Sequence, residues 1–330
     1  MSAMVIGVDA GATTTRCVVA TLDGVVAGRG TAGGANGNSS GGEVRAALGV
    51  ALAAALGTVD RTAVRCGVLG AAGSAGAGRE RFRAAAWQAW QDAGLAGELV
   101  TVTDLEVAFA AGTARSDGVL LLAGTGALAA RFTEGKVEHR CDGYGWMLGD
   151  EGSAVWIGVR ALRAVLAALD GRGEATALVD DVRNHFTIKP DKTEEEAQAV
   201  VYSAFAVPPA ELGRLAPLVS EAAERGDPVA TRICAKAADR LLHTYDSVGP
   251  GGDVTVLAGS VLLNPGPVSR AVRAGLLTRT ATPPRPALDG AGGAAALAVG
   301  RLTGTPVPPV VHARLTGSAR HPTTHDPSRG

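Results

Sequence analysis

The sequence predicts an α/β protein of two domains, and three observations lead to that prediction. The 330 residues are 46% hydrophobic, which is enough chain for more than one buried core. Short apolar runs typical of strands alternate with helical segments through residues 4–302. One pattern also occurs twice: a strand, a bend of Gly and Thr, a second strand, an acidic-Gly turn and a third strand. The copies begin at Met4 and Gly118, so we expect one domain in each half of the chain.

Charge and cysteine usage exclude several classes of function. The 31 basic and 32 acidic residues nearly cancel, so we expect neither nucleic acid nor an anionic membrane as a partner. No secretion signal and no run of 18 apolar residues is present, which favours a cytoplasmic protein. The four cysteines are far apart and form no C-x-x-C pair, so they are expected to be reduced core thiols: Cys17, Cys66, Cys141 and Cys234.

The first copy of the repeated pattern predicts strands at residues 4–9, 17–22 and 25–31. Asp9, at the end of the first strand, suits Mg²⁺ or its water shell. The turn that follows offers backbone N–H groups and hydroxyls that suit a phosphate, from Gly11, Ala12, Thr13, Thr14 and Thr15. Hairpin turns rich in Gly and Thr are also common without any ligand, so a plain turn remains an alternative.

The rest of the first half predicts helices at residues 43–56, 79–93 and 105–114 and strands at 63–70 and 98–103. The Gly-rich loop 31–42 carries Asn36, which could hold a hydroxylated ligand, although such loops are often only linkers. Asp104 follows the strand 98–103 directly. It is either the N-cap of the next helix or a catalytic acid at the carboxyl edge of a sheet.

The second copy predicts strands at residues 118–123, 127–132 and 136–140, with the bend Gly124, Thr125, Gly126 after the first. Two such bends can grip one polyphosphate from opposite sides. The stretch 143–158, GYGWMLGDEGSAVWIG, presents Asp150 and Glu151 just before Ser153, which is placed to cap a helix. Bulky apolar residues beside the acids favour a ligand site over a turn with solvated carboxylates.

The remaining chain is mainly helical. A further strand at residues 253–259 ends in Gly259 and Ser260, and Gly290–Gly293 open a last helix. Small residues such as Gly292 and Gly293 allow a flat ring to lie against the backbone, as adenine does, or allow close helix packing. From Thr303 onward no periodicity remains, so a disordered tail is expected.

The order of these motifs resembles a known family over about residues 4–302. GVDAGATTTR, TDLEVA, AGTGAL, GYGWMLGDEGSAVWIG, LAGSV and GAGGAA resemble the N-acetylglucosamine kinase branch of the BadF/BadG-type ATPases, within the hexokinase/actin/Hsp70 superfamily. The resemblance implies two ribonuclease-H-like domains, residues 1–115 and 116–302, the second with a helical insertion, and a nucleotide and sugar cleft between them. It also implies ATP, Mg²⁺ and a homodimer.

The resemblance implies a role for each matching residue. Asp104 would be the catalytic base and Asp9 would organise Mg²⁺, while Asn36 and Asp150 would bind sugar hydroxyls. Gly11 to Thr15 and Gly124 would hold phosphates, with Thr125 and Gly126 beside the sugar. Gly259, Ser260, Gly292 and Gly293 would border adenosine. Two departures stand out: Ala127 and Leu128 follow the GTG bend where the family commonly has Ser and another small or polar residue, and Glu106 stands where a small residue is usual.

We therefore expect an ATP-dependent kinase that phosphorylates the 6-hydroxyl of N-acetylglucosamine or glucosamine. One alternative is a sugar-binding sensor without rapid turnover. Sensors of this kind usually add a DNA-binding module, for which a first strand at Met4 leaves no room. The other alternative is a BadF-type ATPase with an iron–sulfur cluster between subunits. That would need Cys141 or Cys66 to meet its copy across a dimer axis.

Overall fold

A computed structural model describes residues 2–11, 13–35, 44–71, 79–189, 193–249 and 254–317. Two of the predicted site residues, Ala12 and Asn36, lie outside the described residues. The chain forms two compact units. Unit 1 contains residues up to Ser116 and the chain from Pro286 onward, whereas unit 2 contains Asp117–Arg285.

Unit 1 is built on a five-stranded mixed sheet with the strand order β3-β2-β1-β4-β5. β1 pairs antiparallel with β2, and β2 pairs antiparallel with β3, while β4 and β5 continue the sheet in parallel. The strands are β1 (Met4–Ala10), β2 (Thr14–Thr21), β3 (Val26–Gly33), β4 (Val64–Ala71) and β5 (Glu98–Thr103).

Helices cover both faces of this sheet. One core lies beneath the helices α1 (Val44–Leu56) and α2 (Arg79–Asp92). Another lies beneath α3 (Asp104–Gly112), α11 (Gly290–Thr303) and α12 (Pro309–Thr316). The two buried faces explain why β1 and β4 are apolar along nearly their whole length.

Unit 2 repeats the arrangement. Its sheet has the order β10-β9-β6-β7-β8, so β6 occupies the central place that β1 has in unit 1. The strands are β6 (Gly118–Ala123), β7 (Ala127–Thr133), β8 (Lys136–Asp142), β9 (Thr255–Ala258) and β10 (Arg285–Pro286). The helices of this unit are α4 (Ala154–Leu169), α5 (Leu178–Phe186), α6 (Thr193–Phe205), α7 (Ala216–Glu224), α8 (Pro228–Ser247), α9 (Ser260–Leu263) and α10 (Pro267–Leu277).

These two units confirm the predicted fold class, but the predicted extent of the second domain needs correction. The segment from Pro286, expected in the second domain up to residue 302, belongs to unit 1. Helix α11 packs so closely on β1 that a Cβ atom at Gly7 would lie 2.1 Å from the backbone nitrogen of Ala295. The small residues of α11 make that approach possible, yet their sequence does not say which sheet they meet.

The predicted disordered tail also needs correction for residues 303–317. Helix α12 lies against unit 1, with Val311 and Leu315 buried. Nε2 of His312 lies 2.6 Å from the carbonyl oxygen of Ala110, and Arg314 donates to the carbonyl of Asp23 at 3.0 Å. Two buried apolar residues in one short helix are too few for a periodic signal. Residues 318–330 lie outside the described part of the chain.

In the part of the chain that the structure describes, none of the helices combines the length and the apolar character needed to cross a bilayer.

Candidate active site

The turn between β1 and β2 places Asp9 at the carboxyl end of a central strand. Asp9 stands opposite Arg16 on β2 and beside Gly70 on β4. The turn is closed by a hydrogen bond from the N–H of Gly11 to the carbonyl of Thr14, at 3.0 Å. A half-buried carboxylate therefore lies at the base of the predicted phosphate turn.

Three carboxylates share this part of unit 1. Burial raises the pKa of Asp9 from its ordinary 3.8 to about 6; Arg16 opposes the shift, and the negative charges of Asp104 and Asp289 add to it. An acid whose pKa is raised in this way is partly shielded from water and lies near other negative charges. Such a group is a functional-site candidate, because a cation beside it would restore its ionised form.

Asp289 is a member of this group that the sequence analysis missed. It is the N-cap of α11, where its Oδ1 accepts the N–H of Gly292 at 3.1 Å. Its Oδ2 pairs with Arg29 at 2.5 Å. An Asp directly before GAGG is a helix-start signal that could have been recognised. Its closeness to Asp9 could not have been recognised, because 280 positions separate the two residues along the chain.

The structure settles the cap question at Asp104. The N-cap of α3 is Thr103, whose hydroxyl accepts the N–H of Glu106 at 3.3 Å. Glu106 closes the capping box, accepting from the N–H and hydroxyl of Thr103 at 2.7 and 2.8 Å. Asp104 is thus the first residue of the helix, and its Oδ1 accepts the N–H of Leu105 at 3.1 Å. The carboxylate of Glu106 is therefore engaged in capping α3.

The hydroxyls of the first turn are not equivalent. Thr13 is exposed and Thr14 is half-buried, whereas Thr15 is fully buried. The hydroxyl of Thr15 donates to the carbonyl of Gly33 at 2.8 Å and so ties β2 to β3. The predicted phosphate role therefore fits Thr13 and Thr14 better than the hydroxyl of Thr15.

In unit 2, the bend Gly124–Gly126 is joined to the start of α4. Gly124 donates its N–H to the carbonyl of Gly126 and accepts the N–H of Ala154, both at 2.8 Å. Thr125 is exposed at the tip of the bend. Ser153 caps α4 as predicted, by accepting the N–H of Trp156 at 3.1 Å. The bend and the helix start therefore form one rigid corner.

Asp150 lies against this corner. A Cβ atom at Gly126 would be 3.0 Å from its Oδ2, so the glycine lets the carboxylate approach the bend. Burial raises the pKa of Asp150 and the charge of Asp142 adds to the shift, while hydrogen bonds from the N–H groups of Ala127 and Gly145 and the charge of Arg140 oppose it. A carboxylate between backbone donors and a basic side chain is suited to accept hydrogen bonds from a polar ligand.

Ala127 contributes its backbone, and its side chain is 2% exposed within the core of unit 2. The hydroxyl that a Ser would add here points into apolar packing. The packing of the core therefore explains why residue 127 carries no hydroxyl.

A cavity of about 270 Å³ opens in unit 2 beside the same corner. It lies among α4, α7, α9 and α10, with Ser260 and Asn264 on one side and Ser220 and Glu221 on the other. Gly259 stands at its approach with a left-handed backbone, and a Cβ there would lie 2.3 Å from the carbonyl of Ala123. The strand end that carries Gly259 and Ser260 thus joins the cavity to the Gly124 bend.

Gly292 and Gly293 have a different setting. Both are buried in α11 of unit 1. A Cβ at Gly292 would lie 2.2 Å from the carbonyl of Leu315, and one at Gly293 would lie 2.6 Å from the nitrogen of Ala111. Close helix packing, the alternative for these glycines, therefore accounts for both, whereas Gly259 and Ser260 stand beside a cavity.

Among the described residues, no group of three His, Cys, Asp or Glu side chains forms a ready-made metal cage. A cation that is held mainly by water and phosphate oxygens, as Mg²⁺ often is, does not require such a cage. The described structure does not support the alternative that Cys66 meets its copy, since Cys66 is buried in a core of unit 1.

The chain belongs to the BadF/BadG/BcrA/BcrD ATPase family, whose family model matches residues 6–298. The N-acetylmuramic acid/N-acetylglucosamine kinase of Clostridium acetobutylicum is 32% identical over 246 residues, covering 74% of this chain and 78% of that protein. The glucosamine kinase of Vibrio cholerae is 28% identical over 264 residues, covering 78% of this chain and 84% of that protein.

Solved structures agree with the fold. A proposed N-acetylglucosamine kinase from Chromobacterium violaceum has a TM-score of 0.70 and 25% identity, covering 90% of this chain and 99% of that one. A ROK family glucokinase from Streptomyces griseus, solved with glucose and AMPPNP, has a TM-score of 0.54 at 18% identity, with 89% and 99% covered. The second likeness concerns the fold alone.

Proposed function

We propose that this protein is an ATP-dependent kinase that transfers the γ-phosphate to the 6-hydroxyl of N-acetylglucosamine or glucosamine. The observation that carries the proposal is the position of Asp104 at the start of α3, near enough to the half-buried Asp9 to raise its pKa. One carboxylate beside the metal-bound phosphates and a second within reach of an acceptor hydroxyl are what in-line phosphoryl transfer needs.

The roles divide between the two carboxylates. Asp104 accepts the proton of the acceptor hydroxyl as that oxygen attacks the γ-phosphorus, and ADP leaves on the opposite side. Asp9 would be ionised beside a bound cation and would orient the water shell of that cation. Mg²⁺ supplies charge neutralisation on the phosphate oxygens when it is bound.

The turn beginning at Gly11 and the Gly124 bend are the proposed phosphate-binding elements. Both are Gly-containing turns that follow a central strand, and Thr13 and Thr14 add hydroxyls in the first turn. The cavity beside Ser260 has the size and the polar edge that an adenosine requires. Ser220, Glu221 and Asn264 are among its polar side chains and would orient the base and the ribose.

The acceptor sugar is proposed to bind at Asp150, Thr125 and Gly126, with Asn36 as a further ligand. The names of the two bacterial relatives support an amino sugar as the substrate class. The Asp150 carboxylate and the exposed aromatic side chains of Tyr144 and Trp146 are compatible with a sugar ring and its 2-substituent. A homodimer in the cytoplasm completes the proposal.

A coupled assay of ADP release tests this function. Glucose, glucosamine, N-acetylglucosamine, N-acetylmannosamine and N-acetylmuramic acid are compared as acceptors, with Mg²⁺ and with EDTA. We expect one or two amino sugars to exceed glucose by at least an order of magnitude in kcat/KM, and EDTA to stop turnover. Equal trace rates with every acceptor would contradict the kinase and favour a binding protein.

A further inference from the structure

Asp142, the last residue of β8, ties together the two ends of the loop 143–151. Its Oδ1 accepts the N–H of Gly143 at 2.8 Å and that of Asp150 at 2.7 Å. Its Oδ2 accepts the N–H of Glu151 at 2.8 Å. One half-buried carboxylate therefore fixes backbone groups that are eight and nine residues away along the chain. Hydrogen bonds to an ionised acceptor are stronger than those between neutral groups.

The loop is shaped around this carboxylate. A Cβ atom at Gly149 would lie 2.2 Å from Oδ1 of Asp142, so any larger residue there would displace the side chain. Asp142 itself has a left-handed backbone with φ of 65°. A non-glycine residue in that conformation costs energy, which the surrounding hydrogen bonds must offset.

The same tie reaches Asp150. Asp150 also has a left-handed backbone, with φ of 55°, and its carboxylate rests against Gly126. The N–H of Asp150 is bonded to Asp142, which holds the backbone in the conformation that directs the carboxylate at the bend. Release of that N–H would let Asp150 relax toward an ordinary conformation and move its carboxylate away from Gly126.

We propose that Asp142 is the positioning residue of the acceptor site: it makes no contact with the sugar and sets the affinity for it by holding Asp150 against Gly126. This inference rests on the proposed function, because it takes Asp150 as a ligand of the acceptor sugar.

The first test is the variant Asp142→Asn. Asn keeps the volume, but it has one acceptor oxygen in place of two and no charge. Its NH₂ group cannot accept an N–H, so the bonds on one side are lost, and the bonds to the remaining oxygen are weaker than those to a carboxylate. Asp170→Asn is the matched control, since Asp170 also accepts a backbone N–H beside a helix of unit 2 but lies at an exposed turn. We expect Asp142→Asn to speed hydrogen exchange at the amides of Asp150 and Glu151 by at least about tenfold.

In the kinase assay, we expect Asp142→Asn to raise the KM for the amino sugar by at least about tenfold, with the KM for ATP unchanged within about twofold. The control should change neither value. Gly149→Ala is a second variant, because its added methyl group would displace the Asp142 carboxylate. It should give the same changes in the two KM values. It keeps the test decisive if Asp142→Asn does not fold.

The double variant Asp142→Asn, Asp150→Ala separates positioning from a general loss of stability. If Asp142 acts through Asp150, the double variant has the sugar KM of Asp150→Ala alone. The inference would be overturned if the two substitutions multiplied each other's effect on the sugar KM. It would also be overturned if amide exchange were unchanged in Asp142→Asn. If Asp150→Ala raises the sugar KM and Asp142→Asn does not, the inference fails while the proposed function stands. If the wild-type protein phosphorylates none of the amino sugars, the proposed function fails and the inference with it.

Discussion

Gly290 lies so close to Asp9 that a Cβ atom on the glycine would be 2.2 Å from Oδ2 of the carboxylate. The first residue of α11 thus packs directly against a half-buried acid on β1, although the two residues are far apart in sequence. The acid near the end of β1 and the start of α11 therefore pack directly against each other.

Gly290→Ala should therefore disturb both stability and turnover. The added methyl group must push Asp9 or the start of α11 aside, which we expect to cost about 1–3 kcal/mol, the usual range for overpacking. Urea unfolding measures the loss, and the ADP-release assay measures turnover. Gly300→Ala in the same helix is the control, because its Cβ would lie 3.4 Å from Val307 and fits. That control should be neutral or gain up to about 1 kcal/mol. Equal effects of both substitutions would refute the close contact.

Asp9 should make the protein less stable as the pH rises. With a native pKa of about 6 against an ordinary 3.8, the folded state holds a proton that the unfolded state has lost between these values. Raising the pH through that window therefore removes stability, by up to about 3 kcal/mol at neutral pH. Without nucleotide or Mg²⁺, Asp9→Asn should be more stable than the wild type near pH 7.5 and should lose that advantage near about pH 4.5.

Urea midpoints at the two pH values check this prediction. Asp60→Asn serves as the control, since hydrogen bonds from Thr62 lower the pKa of the exposed Asp60 and keep it ionised across the window. Its effect should be the same at both pH values. An Asp9→Asn variant that is destabilised equally at both would show that Asp9 carries no such proton.

Asp104→Asn should fold normally and be nearly inactive. Because Thr103 and Glu106 form the cap of α3, loss of the charge at Asp104 leaves the cap intact. Loss of the general base should lower kcat by about 10²–10⁴, the range typical of positioned proton transfer. Thr103→Ala tests the opposite case: it should cost about 1 kcal/mol of stability by removing the cap hydroxyl and should leave most of the turnover. If Asp104→Asn keeps more than a few per cent of wild-type kcat, the base is another residue.

Asp150→Ala should raise the KM for the amino sugar at least tenfold. A charged hydrogen-bond partner of a hydroxyl contributes roughly 1.5–3 kcal/mol, and its removal leaves that hydroxyl unpaired. ATP affinity should change little, as measured from the KM for ATP at saturating sugar. Asp170→Ala, at an exposed turn of the same unit, is the control. An unchanged sugar KM would mean that the loop 143–151 serves structure alone.

The sequence by itself determined most of the architecture. Strand and helix signals at single positions, such as Ser153 before α4 and the repeated Gly-Thr bends, are local, and they predicted elements that the structure contains. The internal repeat also predicted two similar units, because each copy must bury its own sheet. Asp9, Asp104 and Asp150 stand at strand ends or in a Gly-rich loop, and such positions can be recognised along the chain.

Only the tertiary structure decided which distant groups meet. The return of α11 and α12 to unit 1 depends on the fit of small residues against Gly7, which no local pattern encodes. Asp289 beside Asp9 and Asp142 beneath Asp150 depend on contacts of the same kind. The backbone N–H groups that hold these carboxylates, and the burial that shifts their pKa values, exist only once the chain has closed around them, because hydrogen bonding and desolvation are properties of the packed molecule.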